Sequence, residues 1–265
     1  MTWRTLLACG LLLLPAAARA GSISITTTQS AHLEGTKLVV DVTIGNTGDE
    51  AAHSVTPLVR FGASEARGKR VEALHPNTNV QDTIELDVGS LSQGTWTYLV
   101  AVDYTDANQY PFQAVQAGRL AVGNPPPAKV AIASMTAGKL AKTAELALTV
   151  KNLEGVARSV SVRLMPPEGI ETAPVTGELT FEPWEEKTFD VTLTNRTALA
   201  GSRYPVFATV EYDADGTHFA VLGRGTVEIV PSETLIDRFG GSLWMGAVGL
   251  GVLFAVLVGL RARRR

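Results

Sequence analysis

The side chains best suited to proton transfer or metal binding are four histidines, His32, His53, His75 and His218. None has a second His or Glu at metal-ligand spacing, and no His-Glu-x-x-His run occurs. Each therefore reads as a surface or loop histidine. No Gly-x-Ser-x-Gly elbow, phosphate loop or dinucleotide fingerprint is present. Asp213-Ala214-Asp215-Gly216 opens like a calcium loop, but the twelfth position, which needs a bidentate Glu, holds Arg224. A tight turn with Gly216 at positive φ is the expectation. Asp103, Asp106 and Asp213 fall at strand ends and form the weakest of the cation candidates. These residues predict no catalytic site, no metal and no cofactor.

Binding chemistry has better candidates. Trp184 follows Pro183 ahead of a strand and outside its alternating pattern, so an exposed indole could anchor a partner or stack on a sugar ring. Trp96 keeps an inward phase and reads as core. Arg60, Arg67, Lys69 and Arg70, with Gly62 and Gly68, make a basic island that could meet an acidic partner or lipid headgroups. Asn195-Arg196-Thr197 is an acceptor sequon wherever the cell glycosylates.

These side chains need a scaffold and a place to work. Residues 243–260 are apolar without a charge, and Arg261, Arg263, Arg264 and Arg265 follow at once. About 18 residues at 1.5 Å rise make a helix near 27 Å, enough to cross a bilayer. The basic tail, residues 261–265, marks the cytoplasmic side, and Trp244 suits the outer interface. Ala247, Gly251, Ala255 and Gly259 recur every fourth residue and line one helix face, where a second helix could approach closely. That face makes a homodimer through the span a candidate state. Residues 1–20 read as a secretory signal, with Arg4, an apolar run and a small-residue end at Ala18-Arg19-Ala20. Cys9 lies inside it, so the mature chain has no thiol and no disulfide.

With Arg4, Arg19 and the four terminal arginines set aside, 17 basic residues face 26 acidic ones, a balance of about −9. Such a surface repels polyphosphate, so nucleic acid is not an expected partner.

Between leader and span, Val, Thr and Gly dominate, helical periodicity is lacking and strand alternation recurs. Asn124-Pro125-Pro126-Pro127 divides this region, and the chain repeats itself across it at a period of about 105–108 residues. Leu38 to Asn46 matches Glu145 to Asn152, Ser54-Val55 matches Ser159-Val160, Thr83-Ile84 matches Thr188-Phe189, and Val102-Asp103-Tyr104 matches Val210-Glu211-Tyr212. Inward faces follow from period two: Leu38, Val40, Val42 and Ile44; Trp96, Tyr98, Val100, Val102 and Tyr104; Leu146, Leu148 and Val150; and Tyr204, Val206, Ala208, Val210 and Tyr212. The expected fold is all-β, two tandem immunoglobulin-like β-sandwiches followed by one transmembrane α-helix. Its parts are a signal peptide (1–20), domain 1 (21–123), a Pro-rich linker (124–127), domain 2 (128–231), a juxtamembrane linker (232–242), the span (243–260) and the basic tail (261–265).

Leu148-Thr149-Val150-Lys151-Asn152, then Pro167-Glu168-Gly169, Glu186-Lys187-Thr188-Phe189-Asp190-Val191-Thr192-Leu193 and Gly201-Ser202-Arg203-Tyr204-Pro205 carry a family resemblance. They resemble the small immunoglobulin-like modules of bacterial envelope proteins, of the cell-adhesion-related and α-galactosidase-associated types. The resemblance implies a sandwich fold and carries over no catalytic residue. Gly240-Gly241-Ser242 ahead of an apolar helix and an arginine-rich end resembles a glycine-glycine C-terminal sorting signal, which implies tail processing at Gly240 and Gly241. The usual Ser/Thr/Asn-rich spacer is missing. Together these features predict a non-catalytic protein of the cell inner membrane that scaffolds a membrane or envelope partner. The alternative is an adhesive or carbohydrate-binding surface protein.

Overall fold

The computed structural model describes residues 21–174 and 178–232. The leader, the span with Ala247, Gly251, Ala255 and Gly259, the Gly240-Gly241 pair and the basic tail lie outside the described residues. Among the described residues no helix is long and apolar enough to cross a membrane.

The described chain is all-β. Its first half holds β1 (Ile25–Glu34), β2 (Lys37–Asn46), β3 (Ala52–Phe61), β4 (Ser64–Arg67), β5 (Val71–Leu74), β6 (Thr78–Asp87), β7 (Gly94–Thr105) and β8 (Pro111–Val122). After residues 124–127 come β9 (Val130–Ala137), β10 (Lys139–Leu140), β11 (Thr143–Asn152), β12 (Arg158–Met165), β13 (Ile170–Thr172), β14 (Leu179–Phe181), β15 (Glu186–Asn195), β16 (Arg203–Ala214) and β17 (Thr217–Ile229).

In the first half the sheet β1-β2-β6 faces a layer built on β3, β7 and β8. Leu38, Val40, Val42 and Ile44 of β2 meet Tyr98, Val100 and Val102 of β7 between them, all buried. Period-two alternation puts these residues on one face of each strand and Asp41, Lys37 and Glu85 outside. In the second half the sheet β13-β15-β11-β9 faces β14-β12-β16-β17. Leu146, Leu148 and Val150 meet Val206, Ala208, Val210 and Val227 there. The inward faces expected from periodicity are the observed ones. Trp96 is half-buried at the rim of the first core rather than inside it, because its ring is shared with the second half.

The two halves also pack on each other. Leu99 and Ala101 of β7, Leu58 of β3, and Val115 and Ala117 of β8 form a third apolar cluster with Phe207 of β16, Met165 and Leu222. The Thr97 hydroxyl donates to Thr209 at 3.3 Å, and the Glu168 N–H donates to the Gln113 side chain at 2.9 Å. One backbone bridge, Gly94 with His218, joins the two larger sheets into one ten-stranded sheet. A β-carbon at residue 94 would run into the His218 carbonyl, so glycine is what allows the approach. β7 is thus covered on both faces, which its alternating pattern alone did not predict.

Candidate functional site

Each half carries a buried asparagine at the end of its second long strand. Asn46 is 1% exposed and Asn152 is 0% exposed. The Asn46 amide donates to the carbonyls of Glu50 at 2.7 Å and Leu74 at 3.0 Å, and its oxygen accepts from the Gly48 N–H at 3.0 Å. The Asn152 amide donates to Val156 at 2.7 Å and Glu182 at 3.0 Å, and its oxygen accepts from the Glu154 N–H at 3.2 Å. A buried amide that satisfies three backbone groups fixes the course of a loop. The backbone entry is matched as well: Thr47 N–H donates to Ser24 at 2.8 Å and Leu153 N–H to Lys129 at 2.7 Å. Thr47 therefore corresponds to Leu153, and Glu50 to Val156.

A proline turn stands beside each loop. His75-Pro76-Asn77-Thr78 closes with Thr78 N–H on the His75 carbonyl, and Glu182-Pro183-Trp184-Glu185 closes with Glu185 N–H on the Glu182 carbonyl. Asn77 has φ 57° and Trp184 has φ 62°. Proline second and a left-handed residue third is the type II pattern, whose third position favours Gly or Asn. Asn77 fits that preference. A bulky residue there is a genuine outlier, at a cost of about 1–2 kcal/mol.

The product is an apex with three matched positions of opposite character. In the first half they are Thr47, Glu50 and Asn77. In the second they are Leu153, Val156 and Trp184, exposed by 40%, 50% and 64%. The Trp184 N–H donates to the Glu154 carbonyl at 3.1 Å, and the indole lies over Gly155. Charges ring the apolar tip: Glu154 pairs with Arg158, Glu185 with Lys187 at 2.9 Å, and Glu186 with Lys151 at 3.2 Å. A hydrogen bond from Lys187, and then one from the Glu182 N–H, hold the Glu185 carboxyl below its ordinary pKa. Sequence reading found Trp184 and missed Leu153 and Val156. The signal was available in the aligned repeats, where Thr47-x-x-Glu50 faces Leu153-x-x-Val156.

The three arginines of the basic island each meet a carboxylate. Arg67 reaches Asp103 at 3.1 Å, Arg60 reaches Glu65 at 3.3 Å, and Arg70 contacts Glu72 at 3.3 Å and the Ser54 hydroxyl at 2.9 Å. The Lys69 N–H donates to Asp82 at 2.6 Å. The Arg60–Glu65 and Arg67–Asp103 pairs tie β3, β4 and β7 together.

The expectation that every histidine is a surface or loop residue fails at His218, which is 8% exposed. The β16–β17 hairpin presses it against the first half, where it stacks on Trp96 at 3.7 Å and pairs with Asp213 at 2.9 Å. The hairpin turn itself is Asp215-Gly216, both at positive φ, as the tight-turn reading requires. Asp103, Asp106 and Asp213 do not gather, because Asp213 sits by Gly94 and the other two lie towards the far end of β7. Among the described residues no group of three His, Cys, Asp or Glu side chains is arranged to hold a metal.

No family model matches this chain, and no curated protein matches it. Similar solved structures include Escherichia coli α-2-macroglobulin in its native conformation, at 11% identity and TM-score 0.33, over 79% of this chain and 17% of that one. The YadV chaperone matches at 9% identity and TM-score 0.29, over 76% of this chain and 98% of that one. The N-terminal periplasmic domain of ScsB from Proteus mirabilis matches at 11% identity and TM-score 0.27, over 77% and 93%. The chain spans 17% of the length of the α-2-macroglobulin it resembles.

Proposed function

We propose that this is a bacterial envelope protein with no catalytic role, in which two tandem immunoglobulin-like domains of the envelope type present a protein-docking apex outside the inner membrane. Residues 124–127 join the domains. Residues 243–260 anchor the chain with residues 261–265 in the cytoplasm, and Ala247, Gly251, Ala255 and Gly259 supply a helix-packing face. The observation that carries the docking role is Trp184: a large apolar side chain stands exposed at a backbone position that disfavours it, where the equivalent turn of the other half has Asn77. β17 carries the chain away from this apex, from His218 beside it to Ile229 at the opposite end of the second half. The described chain therefore leaves the second half at the end opposite the apex, and the proposed partner lies in the envelope.

The experiment is site-specific photocrosslinking in intact cells, with the crosslinker placed at residue 156 beside the apex or at residue 77 in its first-half counterpart. A discrete adduct at 156 that vanishes with Trp184→Asn, and none at 77, is the expected result. Equal labelling at both positions would remove the apex from the account. If instead purified chain loses Trp184 fluorescence on adding soluble cell-wall glycans, the adhesive, carbohydrate-binding reading replaces the scaffold.

A further inference from the structure

A second surface, distinct from the apex, has the form of a strand acceptor. A cleft of about 720 Å³ opens between the halves near the end of β17. One wall is residues 22–27, leading into and along β1; another is residues 112–116 of β8; the third is Ser202, Arg203, Tyr204, Pro205 and Arg224 from the second half. Side chains of a strand alternate between faces, so a run of consecutive residues lines a cleft only when the strand's edge looks into it. Neither edge is hydrogen-bonded on the side facing the cleft, although β1 and β8 run close to each other. β1 is hydrogen-bonded to β2 along its length and to no other strand, and β8 likewise to β7 alone. Each presents a row of unpaired N–H and C=O groups, the usual template for an added strand.

The surroundings define what fits. β8 is covered on both faces: Val115 and Ala117 pack towards the second half, Ala114 and Leu120 towards the first core. An added strand would share those two coverings. Its side chains on one face would meet the half-buried Ile23, Ile25 and Phe112. Those on the other face would meet Arg224, which is exposed, and Arg203, which pairs with Glu228 at 3.5 Å, while Glu50 and Asp106 also line the cleft. Residues 112–116 span about 17 Å at 3.3 Å per residue, the length of a short natural strand.

We infer that this cleft binds an extended segment of a partner protein, about five residues long, as an added strand on β8, with apolar and acidic side chains alternating. Main-chain bonds to β8 supply affinity. The apolar wall and the Arg224 guanidinium supply the side-chain preference. The inference stands independently of the apex.

The test uses the full chain in lipid nanodiscs and a phage-displayed dodecapeptide library. Enriched peptides are expected to alternate apolar and acidic residues. N-methylation of the backbone should weaken an enriched peptide about tenfold at every second residue and leave the intervening ones unchanged, because only alternate N–H groups face β8. Arg224→Glu should weaken binding about tenfold, and Trp184→Asn should leave it unchanged. Three results overturn the proposal: no enrichment over empty nanodiscs, an N-methyl response without period two, or binding untouched by Arg224→Glu. A chain that is dimeric in nanodiscs and becomes monomeric with Arg224→Glu would assign the cleft to a second copy and also overturn it.

Discussion

The two halves build the same corner with different surfaces. Asn46 and Asn152 make matching bonds to the residues two and four places on, the two proline turns close on matching residues, and Tyr104–Phe112 stacks at 5.5 Å where Tyr212–Phe219 stacks at 4.9 Å. Where the interior repeats, the tip does not. In the first half residues 21–24 run across the loop, with the Thr47 and Asp49 N–H groups bonded to Ser24 and Ser22, and every matched tip residue is polar. In the second half the tip is apolar and open to solvent. The shared bonding pattern thus separates the residues that hold a loop from those the loop displays.

The largest test of that symmetry is whether the halves stand alone. Phe207→Ala removes the main second-half contribution to the shared cluster and should cost about 3–5 kcal/mol. Calorimetry should then resolve two transitions where the wild type shows one. A single transition in the variant would mean that the Gly94–His218 contact suffices to couple the halves.

Asn46→Ala and Asn152→Ala come next. Each strands two carbonyls and one N–H against a buried methyl, at a cost of about 2–3 kcal/mol. The two penalties, read from urea unfolding, should agree within about 1 kcal/mol. A large difference would show that matching geometry hides unequal roles.

Much of this was legible in the sequence. Alternation located the β2, β7, β11 and β16 faces, and Val102-Asp103-Tyr104 set against Val210-Glu211-Tyr212 lines up two tyrosines that each stack on a phenylalanine. What escaped is tertiary. Leu99, Ala101 and Phe207 lie on faces that period two assigns to solvent, and they are buried only because one half covers the other. His218 is hidden for the same reason. The tip residues Leu153 and Val156 sit in a loop, where periodicity says nothing. They stand out only when the bonds of Asn152 are laid over those of Asn46.

The matched tyrosines give a smaller contrast at alkaline pH. Burial, and then the neighbouring Tyr204, push the Tyr104 phenol up to about 12. Burial raises Tyr212 too, but the N–H groups of Lys129 and Val130 donate to its oxygen and offset part of the rise. A phenol with a raised folded-state pKa gives stability that is whole below the unfolded value of about 10 and is lost as pH rises through the folded one. Stability should therefore fall between pH 10 and 12, and Tyr104→Phe should flatten that fall more than Tyr212→Phe. An equal effect would mean that the hydrogen bonds to Tyr212 do not offset its burial.

The smallest effect is the most pointed, because its sign differs between the halves. Trp184 holds a left-handed backbone that Asn77 holds with less strain. Trp184→Asn should stabilise the chain by about 0.5–1 kcal/mol, since Asn tolerates that region and the indole surrenders little packing at 64% exposure. Asn77→Trp should destabilise by a similar amount. Both shifts are readable in urea midpoints if the slopes stay constant. A stabilising change that also abolishes crosslinking at residue 156 would mark Trp184 as retained for contact rather than for folding. If Trp184→Asn destabilises instead, the indole packs over Gly155 strongly enough to hold the loop, and its exposure ceases to argue for a partner.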